Sequence, residues 1–300
     1  RAPRHAGARA HCPRTEERLE NTGMDDNTDP AAFAVPTLQT RVESWECDFN
    51  DHWNARYYSR SFQMAAETVA ALAGGENPGM AAIALRVIRF HRELRAGAAV
   101  EIRSLRVADG PHAGAAVHLL SSAGALSATA FDLPGTGASR LPAIRSGLLA
   151  TALPRGDILA KLAATSRPGD HLTMSGPVRP DDLDHRGALL YETIIRRVGH
   201  GMYDRLALAG LTPEFTRDTG IGRMAAQSSV RPVHRPCPPG TVLRVRSRIS
   251  QVGAKIFSTW HCLEAADGTA LAHIAHDMLA VDLERRRAVT PPAFLQDAVG

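Results

Sequence analysis

Aromatic residues make up only 5% of this 300-residue chain, too few for the stacking platforms that single-stranded nucleic acid needs. Blocks of one charge are missing as well. The net charge of +4 is modest, the basic residues are mostly scattered arginines, and nucleic acid is not an expected partner. Cys12, Cys47, Cys237 and Cys262 form no CxxC pair and no regular framework, as expected of reduced thiols in a reducing compartment. No apolar run approaches the roughly 20 residues that span a bilayer. The first residues lack the apolar core of a secretory signal, so the expected location is cytoplasmic.

What is present fits a folded protein: 44% hydrophobic and 22% charged residues are ordinary for a globular chain, and the length suits one large domain or two of about 150 residues. Residues 1–30 differ. They are polar, Arg-rich, without apolar period, and they run past the first methionine, Met24. A disordered N-terminal extension is expected there; Glu16, Glu17 and Glu20 argue against an organelle-targeting peptide.

The chain says the same thing twice. Ala125–Asp132 (ALSATAFD) and Ala270–Asp277 (ALAHIAHD) each follow a Gly-containing turn and read as a last strand paired to the one before it. Upstream, Arg89–Gly97 leads into the strand at 98–103, and Val230–Gly240 into the strand at 241–246, where side chains alternate with a period of two. Each half also opens with one helix. Tyr58, Phe62, Ala65, Val69 and Leu72 form an apolar stripe that stops at Gly74-Gly75. Tyr191, Ile195, Val198, Met202 and Leu206 form a second, ending near Gly210 and weakened by Gly199 and Gly201. The expected fold class is therefore α+β. Its parts are domains at 31–132 and 171–285, a Pro/Gly-rich linker at 133–170 with a short helix near Ile158–Ala164, and a tail at 286–300.

Ahead of the first helix stands Trp45-Glu-Cys-Asp48-Phe-Asn50-Asp51-His52-Trp53-Asn54-Ala-Arg-Tyr57-Tyr58. This segment resembles the hot-dog thioesterase signature W-x-x-D-[YF]-N-G-H-x-N-x-x-Y of carnitine/betaine-type CoA thioesterases. Its D-x-N-x-H core is similar to that of plant acyl-ACP thioesterases, which are double hot-dogs. The resemblance implies two tandem hot-dog domains, each a long helix wrapped by an antiparallel sheet. It also implies hydrolysis of acyl-CoA or acyl-ACP thioesters without a cofactor, and leaves homo-oligomer formation through sheet packing open. Asp51 departs from the usual glycine.

Thioester hydrolysis needs a base or nucleophile and donors for the developing oxyanion. By resemblance Asp48 is the base or nucleophile, while Asn50 and His52 orient water and hold the thioester oxygen. Trp53, Asn54 and Tyr57 then contact substrate. An isolated Asp or Asn here would usually be a helix cap; the flanking residues and the repeated fold argue for more. The second half keeps Asp184-x-x-Gly187, but Ala188 replaces the histidine. One working site is expected, with a second at Asp184 as the rival.

Cys47 and Asp48 are neighbours on an extended chain and point to opposite faces, which disfavours a Cys/His nucleophile. His273 and His276 are spaced wrongly along a strand to share a metal, and no metal is expected. Arg89 and Arg92, with Arg231 in the matching stretch, suit the phosphates of CoA, though they also suit a solvated strand face. A hydratase or dehydratase of the same fold usually carries D-x-N-P-x-H, and the spacing from Asp48 to His52 argues against it. A non-catalytic acyl-thioester-binding module is the remaining alternative.

Overall fold

A computed structural model describes residues 29–48, 50–74, 83–135 and 137–300. Most of the expected N-terminal extension lies outside the described residues, as does Gly75 of the expected helix stop. The first half runs β1 (Val35–Arg41), α1 (Ala55–Leu72), β2 (Leu85–Phe90), β3 (Ala99–Val107), β4 (Ala116–Ser122) and β5 (Ala125–Leu133). After β6 (Ala143–Ile144) and α2 (Ile158–Ala163), the second half repeats that order. Its elements are β7 (His171–Pro177), α3 (Tyr191–Leu208), α4 (Pro213–Thr219), β8 (Ile221–Pro232), β9 (Val242–Val252), β10 (Ile256–Ala265) and β11 (Ala270–Asp282).

Among the described residues, ten strands follow one another in a single sheet in the order β1-β3-β4-β5-β2-β8-β11-β10-β9-β7, and the short β6 joins it beside β3. The order is mirrored about β2 and β8, which pair antiparallel and join the halves. The two long helices pack side by side on one face of this sheet, tied by Arg60 to Glu192 at 2.6 Å.

Helix α1 begins where the Asn54 side chain accepts the Arg56 N–H at 3.1 Å, a cap of the expected kind. Tyr58, Phe62, Ala65 and Val69 are buried, but Leu72 is 61% exposed, so the apolar stripe ends a turn early. In α3 the two glycines have separate reasons. A Cβ on Gly201 would lie 2.7 Å from Val245, so this glycine lets the helix seat directly on β9. Gly199 faces open space.

The structural repeat is one residue out of step with the repeat read from sequence. His118 pairs with Ala130, and its counterpart His261 pairs with Ile274. Asp132 therefore corresponds to His276, not to Asp277. The turn glycines Gly124 and Gly268, both at positive φ, mark the true register, and the matching Ala-Leu pairs misled.

Residues 133–170 are not a loose linker. They cross the face of the sheet opposite the helices, burying Ile144, Leu149, Ile158 and Leu162 against Val87, Val117 and Phe131. A leucine buried this fully is worth about 1.5–3 kcal/mol. This part of the back face is thus covered by the chain itself. Residues 286–300 are not a free tail either: β12 (Arg287–Val289) pairs with β11, and α5 (Ala293–Asp297) buries Leu295 beside Phe257 and Met278. Among the described residues, no helix is long and apolar enough to cross a membrane.

Candidate active site

The segment before α1 folds into a small loop closed by its own carboxylate. Asp48 Oδ1 accepts the backbone N–H groups of Asn50 at 2.9 Å and His52 at 3.2 Å. The Asp48 N–H donates to the His52 carbonyl at 2.8 Å, and Cys47 bridges Trp53. The turn needs a left-handed residue, and Asp51 supplies it at φ 60°, a conformation that favours glycine. Asp51→Gly is expected to raise stability by about 0.5–1 kcal/mol in urea unfolding, since its Arg95 partner at 3.3 Å is exposed and worth little.

The Trp53 N–H donates to the Leu94 carbonyl at 2.8 Å, which draws the loop after β2 against the Asp48 loop. That contact sets Glu93 beside His52, with Nε2 to Oε2 at 3.1 Å, both side chains mostly buried. Arg286, from the turn after β11, reaches the same Glu93 oxygen at 2.9 Å. With Nε2–H donating to Glu93, the imidazole's Nδ1 is left as an acceptor. His52 and Glu93 line a cavity of about 210 Å³ whose far wall, Arg223 to Ala226, comes from β8 of the second half.

A larger cavity of about 380 Å³ lies between α1 and α3. Asn54, Tyr57 and Cys47 line it, and it shares Ala55, Phe90, Arg223 and Ala225 with the smaller one. Arg223 stands at the junction. Burial lowers its pKa, while Tyr203, over whose ring it lies at 4.3 Å, and the Asp48 charge oppose that shift. It has no carboxylate within ion-pair distance among the described residues.

The expected site residues divide accordingly. His52, Trp53 and the exposed Arg92 line the smaller cavity. Asn54 and Tyr57 line the larger, the Tyr57 hydroxyl held by Arg56. Asn50 lines a side pocket with Tyr203 and Arg223. Trp53 donates its indole N–H to Glu46 at 2.9 Å, so its polar atom is committed to the protein.

Arg89 and Arg231 line neither of these cavities. They point to the back of the sheet, where Arg89 donates to the carbonyls of Ala150 and Leu153, both at 2.9 Å, and Arg231 to that of Leu162 at 2.8 Å. Their work is to hold the crossing segment. Arg89→Ala is expected to cost about 2–3 kcal/mol in denaturant unfolding, because two carbonyls lose a charged donor. Glu93, Arg223 and Arg286 were not foreseen; each reaches the site through long-range contacts.

Cys47 faces a different cavity from His52, and burial raises its pKa. The two do not form a nucleophile pair. On β11, His273 stacks near Trp260 and His276 near His261, on opposite faces. Among the described residues, no group of three or more His, Cys, Asp or Glu is placed to hold a metal ion.

The second half builds the same loop. Asp184 Oδ1 accepts the N–H groups of Arg186 and Ala188, both at 2.9 Å, and Gly187 takes the left-handed position. Ala188 occupies the place of His52, and the pocket beside it measures only about 20 Å³. Arg235 is among its lining residues, in the loop equivalent to that of Glu93.

The architecture is a double hot-dog: two helix-and-sheet halves fused through one continuous sheet. Residues 178–299, the second half, match the family model described as the thioesterase-like superfamily. No curated protein matches the chain. Among solved structures it is similar to a Lactobacillus plantarum protein described as an oleoyl thioesterase, at 14% identity and TM-score 0.56, over 87% of this chain and 99% of that one. It is also similar to the 12:0-ACP thioesterase of Umbellularia californica, at 15% identity and TM-score 0.53, over 81% and 93%. At these identities the likeness is one of fold.

Proposed function

We propose that the chain hydrolyses acyl thioesters, with acyl-CoA as the first carrier to test and acyl-ACP as the second. The observation that carries this reading is the His52–Glu93 pair, placed by the Asp48 loop at the start of α1 on the wall of a cavity. In the proposed reaction, Glu93 orients His52, and His52 with the free oxygen of Asp48 positions a water and takes its proton. The water oxygen attacks the thioester carbonyl. Negative charge on that oxygen is favoured by the first turn of α1 and by Arg223. The C–S bond then breaks, the thiolate leaves with a proton, and a carboxylate remains. The second half supplies Arg223 and Arg286 rather than a second site.

Free-thiol release from a panel of acyl-CoAs and acyl-ACPs tests the reading. His52→Ala and Glu93→Gln are each expected to lower kcat about 10²–10³-fold with the fold intact. Hydrolysis lost through Asp184→Ala in a normally folded protein would move the site to the second half. Tight binding with no hydrolysis of any thioester would make the chain a binding module.

A further inference from the structure

The halves are related by a local twofold through the β2–β8 seam. Arg86 pairs with Asp132 and Ser228 with His276, and Asp132 corresponds to His276, which makes Arg86 and Ser228 equivalent. Ala55 opens α1 as Tyr191 opens α3, so Gln63 corresponds to Gly199.

Beneath the helices, the first of the two equivalent places is full. The Tyr191 ring covers the Arg86 guanidinium at 4.5 Å. Arg86 makes two bonds to Asp132, at 2.7 and 2.6 Å, and Gln63 accepts the Tyr191 N–H at 3.2 Å. At the second place every one of these groups is exchanged: Ala55 for Tyr191, Ser228 for Arg86, Gly199 for Gln63 and His276 for Asp132. All four replacements line the 380 Å³ cavity. A Cβ on Gly199 would meet nothing within 4 Å. Ser228 is 5% exposed, and its hydroxyl has no hydrogen-bond partner among the described residues.

We propose that this vacated place receives the acyl chain, and that Ser228 and His276 select chains carrying a neutral hydrogen-bonding oxygen, such as a hydroxyl, over plain alkyl chains. The proposal rests on the thioesterase reading above. A buried polar group left unpaired costs about 1–3 kcal/mol, and a site built to bond a substrate hydroxyl rejects the analogue that lacks it. In the filled place Arg86 and Asp132 pair as ions, and the Tyr191 ring takes up the space, although Arg86 Nη1 and the Tyr191 hydroxyl have no hydrogen-bond partner among the described residues. In the open place the guanidinium and carboxylate have become a hydroxyl and an imidazole. Burial holds His276 neutral, with its pKa down to about 4, so it offers one donor and one acceptor. The cavity's arginines are otherwise engaged: Arg56 on Tyr57, Arg196 on Asp182, and Arg223 at the junction with the reacting end. A neutral polar group suits this wall better than a second carboxylate. Met202, Met278 and Ile195 supply the apolar remainder.

The test compares octanoyl-CoA with its 3-, 5- and 8-hydroxy derivatives by thiol release. At least one hydroxylated chain is expected to exceed the plain chain about tenfold in kcat/KM, and Ser228→Ala is expected to bring that ratio close to one. Ala55→Tyr, which rebuilds the plug seen in the other half, is expected to lower kcat/KM for all four about tenfold or more with an unchanged circular dichroism spectrum. Equal rates for plain and hydroxylated chains at every position would overturn the proposal, as would a preference untouched by Ser228→Ala. If the parent hydrolyses none of them, calorimetry with the free octanoic and hydroxyoctanoic acids reads the pocket alone. Selective binding would then support the pocket while rejecting hydrolysis, and non-selective binding would overturn the pocket.

Discussion

Asp48→Asn is expected to reduce thioester hydrolysis about 10²–10⁴-fold while the protein stays folded. The two roles of Asp48 separate in this variant. An asparagine carbonyl still accepts the Asn50 and His52 amides that Asp48 Oδ1 holds at 2.9 and 3.2 Å, so the loop keeps its shape. What disappears is the negative charge and the basic oxygen. Asp48→Ala removes both roles, and should add about 1–2 kcal/mol of destabilisation as the two amides lose their acceptor. Thiol release and thermal unfolding, measured on the pair, check the outcome. Parent-like activity in Asp48→Asn would assign Asp48 to loop closure alone and would leave His52 as the base.

The largest expected loss of stability lies elsewhere, in Asp132→Ala, at about 3–5 kcal/mol in urea unfolding. Arg86 and Asp132 are essentially fully buried and bonded in two places. His118 stands 3.3 Å from the same carboxylate and bonds Ser104 at 2.7 Å. Removing the carboxylate strands a guanidinium in the core. Replacing both partners by Met and Leu should recover most of the loss, because the cost comes from the unpaired charge. Burial alone would raise the Asp132 pKa, but the Arg86 charge and the hydrogen bonds bring it down to about 2. Since the unfolded value is near 3.9, the ionised carboxylate stabilises the fold above about pH 4. That contribution fades as the pH falls toward 2. The stability gap between the parent and Asp132→Asn should therefore narrow between pH 6 and pH 2.5.

Much of this was legible in the residues. Strands with two-residue alternation, turns closed by glycine and one apolar stripe per half led directly to the repeated strand–helix–strand order, because each signal is local; the hot-dog reading came from the resemblance of the Trp45–Tyr58 segment. The Asp48–His52 segment was legible for the same reason, and its second copy at Asp184 exposed the missing histidine. The rest depended on partners distant in sequence. Arg89 and Arg231 show a charge in sequence, but not the carbonyls of Ala150, Leu153 and Leu162 that absorb it. Glu93 reaches His52 only because Trp53 bonds Leu94. The apolar residues of 133–170 have no period, so nothing local marks Leu149 and Leu162 as core. Gly199 and Gly201 read as weakness in a helix; one proves to be close packing and the other the floor of a cavity.

The crossing segment also changes what kind of object the duplicated chain is. Two joined domains ordinarily melt one at a time, each with its own closed core. Here Leu149 and Ile158 share a core with β-strands of the first half and with Ala275 of the second, while Lys161 binds Asp277 at 2.6 Å. Unfolding either half therefore strips cover from the other, and the seam between β2 and β8 has no independent edge to fall back on. The molecule is therefore expected to unfold in a single cooperative transition, with coincident fluorescence and circular dichroism melting curves as the check. The second half thus serves the first as structural cover, through Ala275 and Asp277, and not only as a copy of it.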